Sequence, residues 1–223
     1  WSQPAGATVT KARETYERLR AAHVKAVQAA LDDHVGRLDW TREQIEHHQT
    51  ERLRSLLAYA RERSPFHARR LGGIDPSTAT AADLASVPMM TKAEAQDEWD
   101  AIATVPDLDR ARAEQILADQ QWFSYTPSDQ QIFSSGGSSG VRGVYVWDWN
   151  FFVSIACLAW RMQAREERRE PRSPTKLAVL AAGMPPHAST PLFDVPTAPG
   201  METVVIPAGA PIDETIAAVG DAD

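Results

Sequence analysis

A glycine- and serine-rich run, Ser134-Ser135-Gly136-Gly137-Ser138-Ser139-Gly140-Val141-Arg142-Gly143, separates two segments that both read as β-strands. Residues 130–133 are short and end in an aromatic, and Val144, Tyr145, Val146 and Trp147 form the β-branched and aromatic run that suits a pleated, half-buried surface. The glycines permit tight turning and close approach of backbone to a ligand, and the hydroxyls add donors. A strand on both sides leaves the two best-known nucleotide loops a weak match. A Walker A loop needs Gly-Lys-Ser/Thr opening a helix, whereas Gly140 is followed by Val141, Arg142 and a strand. The dinucleotide fingerprint needs G-x-G-x-x-G between strand and helix, a spacing that Gly136, Gly137 and Gly140 do not supply. Two readings remain: a phosphate cradle of another kind, or a plain hairpin connection.

The segments around this loop predict the rest of the architecture. Tyr16, Leu19, His23, Ala26, Val27 and Ala30 recur at helical spacing among charged residues, and Gly36 ends that helix. Thr41 with Gln44 forms a capping box, with Trp40 and Ile45 placed for a hydrophobic staple. The helix that follows has Leu53, Leu56, Leu57 and Ala60 on its apolar face and stops at Ser64-Pro65. Residues 72–78 read as a linker. Thr91 with Glu94 is a second capping box, opening a helix through about Ile102, and another helix covers residues 109–118. After the loop comes a helix over residues 150–167, with Asp148 or Asn150 near its cap and Phe152, Ile155, Ala159 and Met162 on its buried face. Residues 176–181 and 201–206 are strand candidates, and 212–219 a final helix. Strand, helix, strand, helix in this order argues for an α/β layer with partly parallel pairing.

Composition narrows the function classes. At 223 residues, 43% hydrophobic and 24% charged, the chain can bury one sizeable core or two small ones. A net charge of −7 argues against a general nucleic-acid or anionic-membrane surface. The single cysteine, Cys157, excludes an internal disulfide and any cysteine-based zinc site, and its apolar surroundings predict packing. No membrane span is expected, because no run of eighteen or more apolar residues occurs, and a cytoplasmic protein is the expectation. Glu46-His47-His48 lacks further ligands at metal spacing and reads as a solvated helix face. The mixed-sign run 165–170 reads as an exposed helix end. Trp147 and Trp149 read as packing residues.

The run Ser135-Gly136-Gly137-Ser138-Ser139-Gly140-Val141-Arg142-Gly143 resembles the Ser/Thr/Gly-rich phosphate loop of adenylate-forming (AMP-binding) enzymes, the acyl-CoA synthetases and their relatives. It follows that pattern through Gly140 and departs at the end, with Arg142 at the usual proline and Gly143 at the usual lysine. The segment Leu56 to His67, and then Leu84-Ala85-Ser86-Val87-Pro88-Met89-Met90-Thr91-Lys92, is similar to the amino-terminal part of the phenylacetate-CoA ligase branch, in the same order and spacing. The similarity runs from about residue 50 onward.

That resemblance implies an amino-terminal helical extension over 1–49, a helical part of the AMP-binding domain over 50–120, and the start of its large α/β domain over 121–223. The activity implied is ATP-dependent activation of a small carboxylic acid, aromatic by the branch's precedent, as an acyl-adenylate with release of pyrophosphate. Transfer to a thiol, coenzyme A by the same precedent, would follow. ATP and Mg²⁺ are the implied cofactors. Ser135, Gly136, Gly137, Ser138, Ser139 and Gly140 would hold the β- and γ-phosphates, with Arg142 supplying charge in place of the lysine. His187, on a loop directly after a strand candidate where side chains face clefts, stands where the family often places an aromatic or histidine lining the acyl pocket. No general base is needed, because a carboxylate is already ionised near neutral pH. In the family the adenine, magnesium, ribose, hinge and carboxy-terminal lysine elements all follow the part represented here. The expectation is therefore a fragment truncated at both ends, inactive alone, whose partner is the remaining carboxy-terminal part; homo-oligomers stay open. The rival reading is a non-catalytic helical and α/β interaction module, or a vestigial domain.

Overall fold

Thr41 and Thr91 both close the capping boxes that their spacing predicts. The Thr41 hydroxyl accepts from the Gln44 amide while its own amide donates to Gln44 Oε1, and Thr91 and Glu94 repeat the arrangement. The structure, a computed structural model, describes residues 5–120, 125–126, 128–136, 140–171, 175–182, 186–193, 195 and 201–220. In chain order the elements are α1 (Ala5–Gly36), α2 (Arg42–Arg63), α3 (Pro65–Arg70), α4 (Lys92–Asp97), α5 (Trp99–Ile102), α6 (Arg110–Asp119), β1 (Gln131–Ser134), β2 (Val144–Trp147), α7 (Trp149–Arg169), β3 (Thr175–Ala181), α8 (Ser189–Phe193), β4 (Met201–Pro207) and α9 (Ile212–Gly220). Among the described residues this is a mixed, mostly helical α/β fold with two small two-stranded sheets. No described helix is long and apolar enough to cross a membrane.

The chain divides into two units. One is formed by residues 1–38, 116–136 and 144–223, the other by residues 39–115 and 137–143. In the first unit α1 packs along α7, and Val27, Leu31 and Val35 meet Phe152, Ala156, Cys157, Trp160 and Ala164 in a buried cluster. The expected face of α7 needs correction: Phe152 is buried, but Ala159 and Met162 are exposed, and Ala156, Cys157, Trp160 and Ala164 face inward instead. The small side chains let α1 approach closely, and the Trp160 indole finds the Leu192 carbonyl at 3.0 Å, which satisfies the N–H that burial would otherwise orphan. Asp148 is the cap, its carboxylate accepting from the Phe151 amide at 2.7 Å. β1 pairs antiparallel with β2, Gln131 opposite Trp147 and Ser134 opposite Val144. β3 and β4 pair in parallel from Thr175–Met201 to Ala181–Pro207, as the strand and helix order predicts.

The second unit is held by Leu57, Leu71, Ile74 and Ala79. Residues 72–78, expected as a linker, fold back onto α2 instead: Arg61 donates to the Ile74 carbonyl at 2.6 Å and Arg54 Nε to the Ala79 carbonyl at 3.0 Å. The helix expected from Thr91 through Ile102 breaks at Glu98, whose φ of −94° and ψ of 20° separate α4 from α5. Past the break Trp99 is buried, and the Ser64 hydroxyl donates to the Ala101 carbonyl at 2.8 Å. Trp40 meets the His48 ring edge-on, and Ile45, its expected staple partner, is exposed.

Candidate phosphate-loop site

β1 delivers the chain to the loop from a buried position: all four of its residues are inaccessible. One consequence is chemical, because the Gln131 side chain has both amide atoms buried with no hydrogen-bond partner among the described residues, a costly arrangement for a polar group. At the strand's end the Ser134 amide donates to the Pro186 carbonyl at 2.9 Å. That bond ties the segment carrying His187 to the start of the loop. A Cβ built on Gly136 would lie 3.9 Å from His187 Cε1, an ordinary van der Waals contact. Two residues singled out separately in the sequence, Gly136 and His187, are thus neighbours in the first unit. Ser135 follows β1 half-buried. Gly137, Ser138 and Ser139 lie outside the described residues.

The loop's second half, residues 140–143, belongs to the second unit. Gly140 has φ of +86°, a backbone conformation that L side chains rarely adopt, so glycine is there for a conformational reason. Two residues later Arg142 Nη1 donates to Glu114 Oε2. The other oxygen of Glu114 accepts from Arg110 through Nε at 3.1 Å and Nη2 at 2.7 Å, and Arg110 Nη1 reaches Gln96 Oε1 at 2.7 Å. Partial burial pulls the Glu114 pKa up, but the hydrogen bonds from Arg110 and Arg142 win and hold it below the usual carboxylate range. The triad of one carboxylate and two guanidiniums carries a net positive charge beside the loop, with the Asp100 carboxylate nearby accepting from the Arg110 amide at 2.6 Å.

Glu114 escaped sequence reasoning. Its place four residues after Arg110 on one helix signals an intrahelical pair, but nothing local links it to Arg142, 28 residues on. Among the other candidates, Trp149 stacks on the His23 ring with centroids 3.7 Å apart and Trp147 packs against Phe133, both as expected of packing residues. Cys157 is buried and desolvation pushes its thiol up to about 11. His47 lies exposed, 3.5 Å from Glu51, and no group of three His, Cys, Asp or Glu side chains converges among the described residues. No protein-family model matches the chain, and no curated protein matches it either.

Proposed function

We propose that this chain supplies the phosphate-loop portion of an ATP-dependent, AMP-forming acid–thiol ligase of the adenylate-forming type, the α/β part being the start of that enzyme's large domain. The observation that carries the reading is the adjacency of Gly136 and His187, tied together by the Ser134–Pro186 hydrogen bond. Within the first unit, the first glycine of the loop run thus lies beside the histidine that the reading assigns to the acyl substrate, which supports the reading because attack of a carboxylate on the α-phosphorus of ATP needs the two ligands held close together. The positive φ of Gly140 and the cationic Arg110–Glu114–Arg142 cluster fit an anionic ligand on their own chemistry.

In this reading the loop's amides and hydroxyls hold the β- and γ-phosphates, and Arg142 offsets the charge that grows on departing pyrophosphate. Mg²⁺ would supply further charge neutralisation at the phosphate oxygens. The described residues offer no three-ligand cluster for it, so its protein contacts are assigned to none of them. His187 would contact the acyl substrate, a small carboxylic acid, with coenzyme A as the acceptor thiol. The remaining carboxy-terminal part of the same enzyme would complete the nucleotide site.

The test is carboxylate-dependent ATP–pyrophosphate exchange by the complete gene product, with a panel of aromatic and aliphatic acids. Exchange with at least one acid is expected, falling about 100-fold in Gly140→Val, the size of effect seen when a preorganised donor is misplaced. Absence of exchange with every acid, or full exchange in the variant, would refute the assignment.

A further inference from the structure

The second unit contains a cavity of about 540 Å³, within the range of about 300–1,000 Å³ in which small-molecule pockets fall. Leu53, Leu56 and Leu57 of α2 line it together with Met89 and Met90, and α3 contributes the two polar lining residues, His67 and Arg70. Thioether side chains adapt their shape to a ligand better than branched ones do.

Three observations bear on what this cavity could hold. Part of its apolar lining is left in water: Met89 is 94% exposed, and Leu56, Leu84 and Met90 are exposed as well, above the buried Leu57 and Leu71. Its one charged lining residue, Arg70, spends its guanidinium hydrogen bonds on a neutral group. Nε donates to the Pro88 carbonyl at 2.9 Å and Nη2 to the same oxygen, which fixes the guanidinium plane next to Met89 and leaves its charge without a carboxylate among the described residues. The third observation is His67 Nδ1, enclosed with no hydrogen-bond partner among the described residues. Burial, and after it the Arg70 charge, lowers the His67 pKa, so at neutral pH this ring adds no second charge.

An apolar slot with one fixed, uncompensated cation selects its ligand by chemistry. A neutral hydrocarbon gains burial but leaves the cation unanswered, and a cationic amphiphile meets a like charge. We propose that this cavity binds a free amphipathic anion, a single anionic head on an unbranched apolar body, with the head against Arg70 and the body along the leucine and methionine side chains. The site is separate from the phosphate loop and stands or falls independently of the ligase reading.

The experiment is calorimetric titration of the whole chain with decanoate, decanol and decyltrimethylammonium, all below micelle formation, on wild type, Arg70→Gln and Leu56→Trp. Wild type is expected to bind one decanoate, about tenfold tighter than decanol, and the cation weakest, as a charge-assisted hydrogen bond dictates. Arg70→Gln should erase the preference while leaving decanol binding intact, which also reports that the pocket is still folded. Leu56→Trp, a substitution at an exposed lining position, should weaken both ligands at least about tenfold with an unchanged circular dichroism spectrum. Equal binding of decanoate and decanol by wild type would overturn the proposal. So would decanoate binding indifferent to both substitutions, or self-association of the chain through this face that decanoate does not reverse.

Discussion

Lowering the pH should destabilise the first unit through a single buried imidazole. His23 is 1% exposed, stacked on Trp149 and 4.4 Å from the Phe152 ring centre. Its Nε2 lies 3.0 Å from the Trp149 carbonyl, which can only accept, so Nε2 carries the proton and Nδ1 accepts from the Tyr125 hydroxyl at 2.9 Å. Burial is the main force lowering its pKa; the Trp149 hydrogen bond opposes it, the Arg20 charge reinforces it, and the result is about 4 in place of 6.5. The unfolded chain therefore binds this proton at higher pH than the folded one, and stability falls as pH drops from about 6.5 towards 4. Proton linkage with those two values gives a loss of about 1.4 kcal/mol at pH 5.5 and about 2.5 kcal/mol at pH 4.5, relative to pH 7.5.

Urea unfolding followed by tryptophan fluorescence, in wild type and His23→Gln across that range, isolates the effect, because carboxylate titrations are common to both proteins and cancel. The variant should be less stable at pH 7.5, with a pH dependence flatter by the amounts above. Parallel curves would refute the reasoning, as would an NMR titration in which the His23 ring, identified by its absence from the variant, ionises near 6.5.

At Gly140, with φ of +86°, Gly140→Asn should be tolerated better than Gly140→Val, by about 1–2 kcal/mol in chemical denaturation, since asparagine alone of the pair visits the left-handed region readily. Leu57→Ala, which empties part of the second unit's core, should cost about 2–5 kcal/mol in the same measurement. Thr91→Ala removes the cap of α4 and should cost about 1 kcal/mol. Cys157, buried with its thiol pushed up to about 11, should resist iodoacetamide at pH 8 for hours in the native protein and react promptly in urea, as quantified by mass spectrometry.

The elements that formed where expected are the two capping boxes, the strand pair around the loop, the parallel pair and the closing helix. The capping boxes, the strand pair and the closing helix rest on signals within a few residues, the parallel pair on the order of the elements. The misreadings come from tertiary contacts. The buried face of α7, Phe152, Ala156, Cys157, Trp160 and Ala164, does recur at helical spacing, but Phe151, Leu158 and Met162 put large apolar side chains on other faces, and only the packing of α1 and the reach of the Trp160 indole to Leu192 decide between them. Nothing in the local sequence announces α8, which Arg20 and Trp160 hold by donating to the carbonyls of Pro191 and Leu192. At the candidate site, Gly136 and Arg142 stand out through the loop's resemblance and His187 through that resemblance and its place after a strand candidate, whereas Glu114 takes its meaning from a partner 28 residues away.

The pairing of α1 with α7 also sets a timetable for synthesis. Val27 and Cys157 touch across 130 residues of chain, and the whole second unit, residues 39–115 and 137–143, lies between them. At a ribosomal rate of about 5–20 residues per second, roughly ten seconds pass before α7 emerges. The inserted unit can fold first, while the apolar stripe of α1 waits uncovered. In the cell that interval makes the growing chain with α1 uncovered, rather than the finished fold, the species most in need of a chaperone.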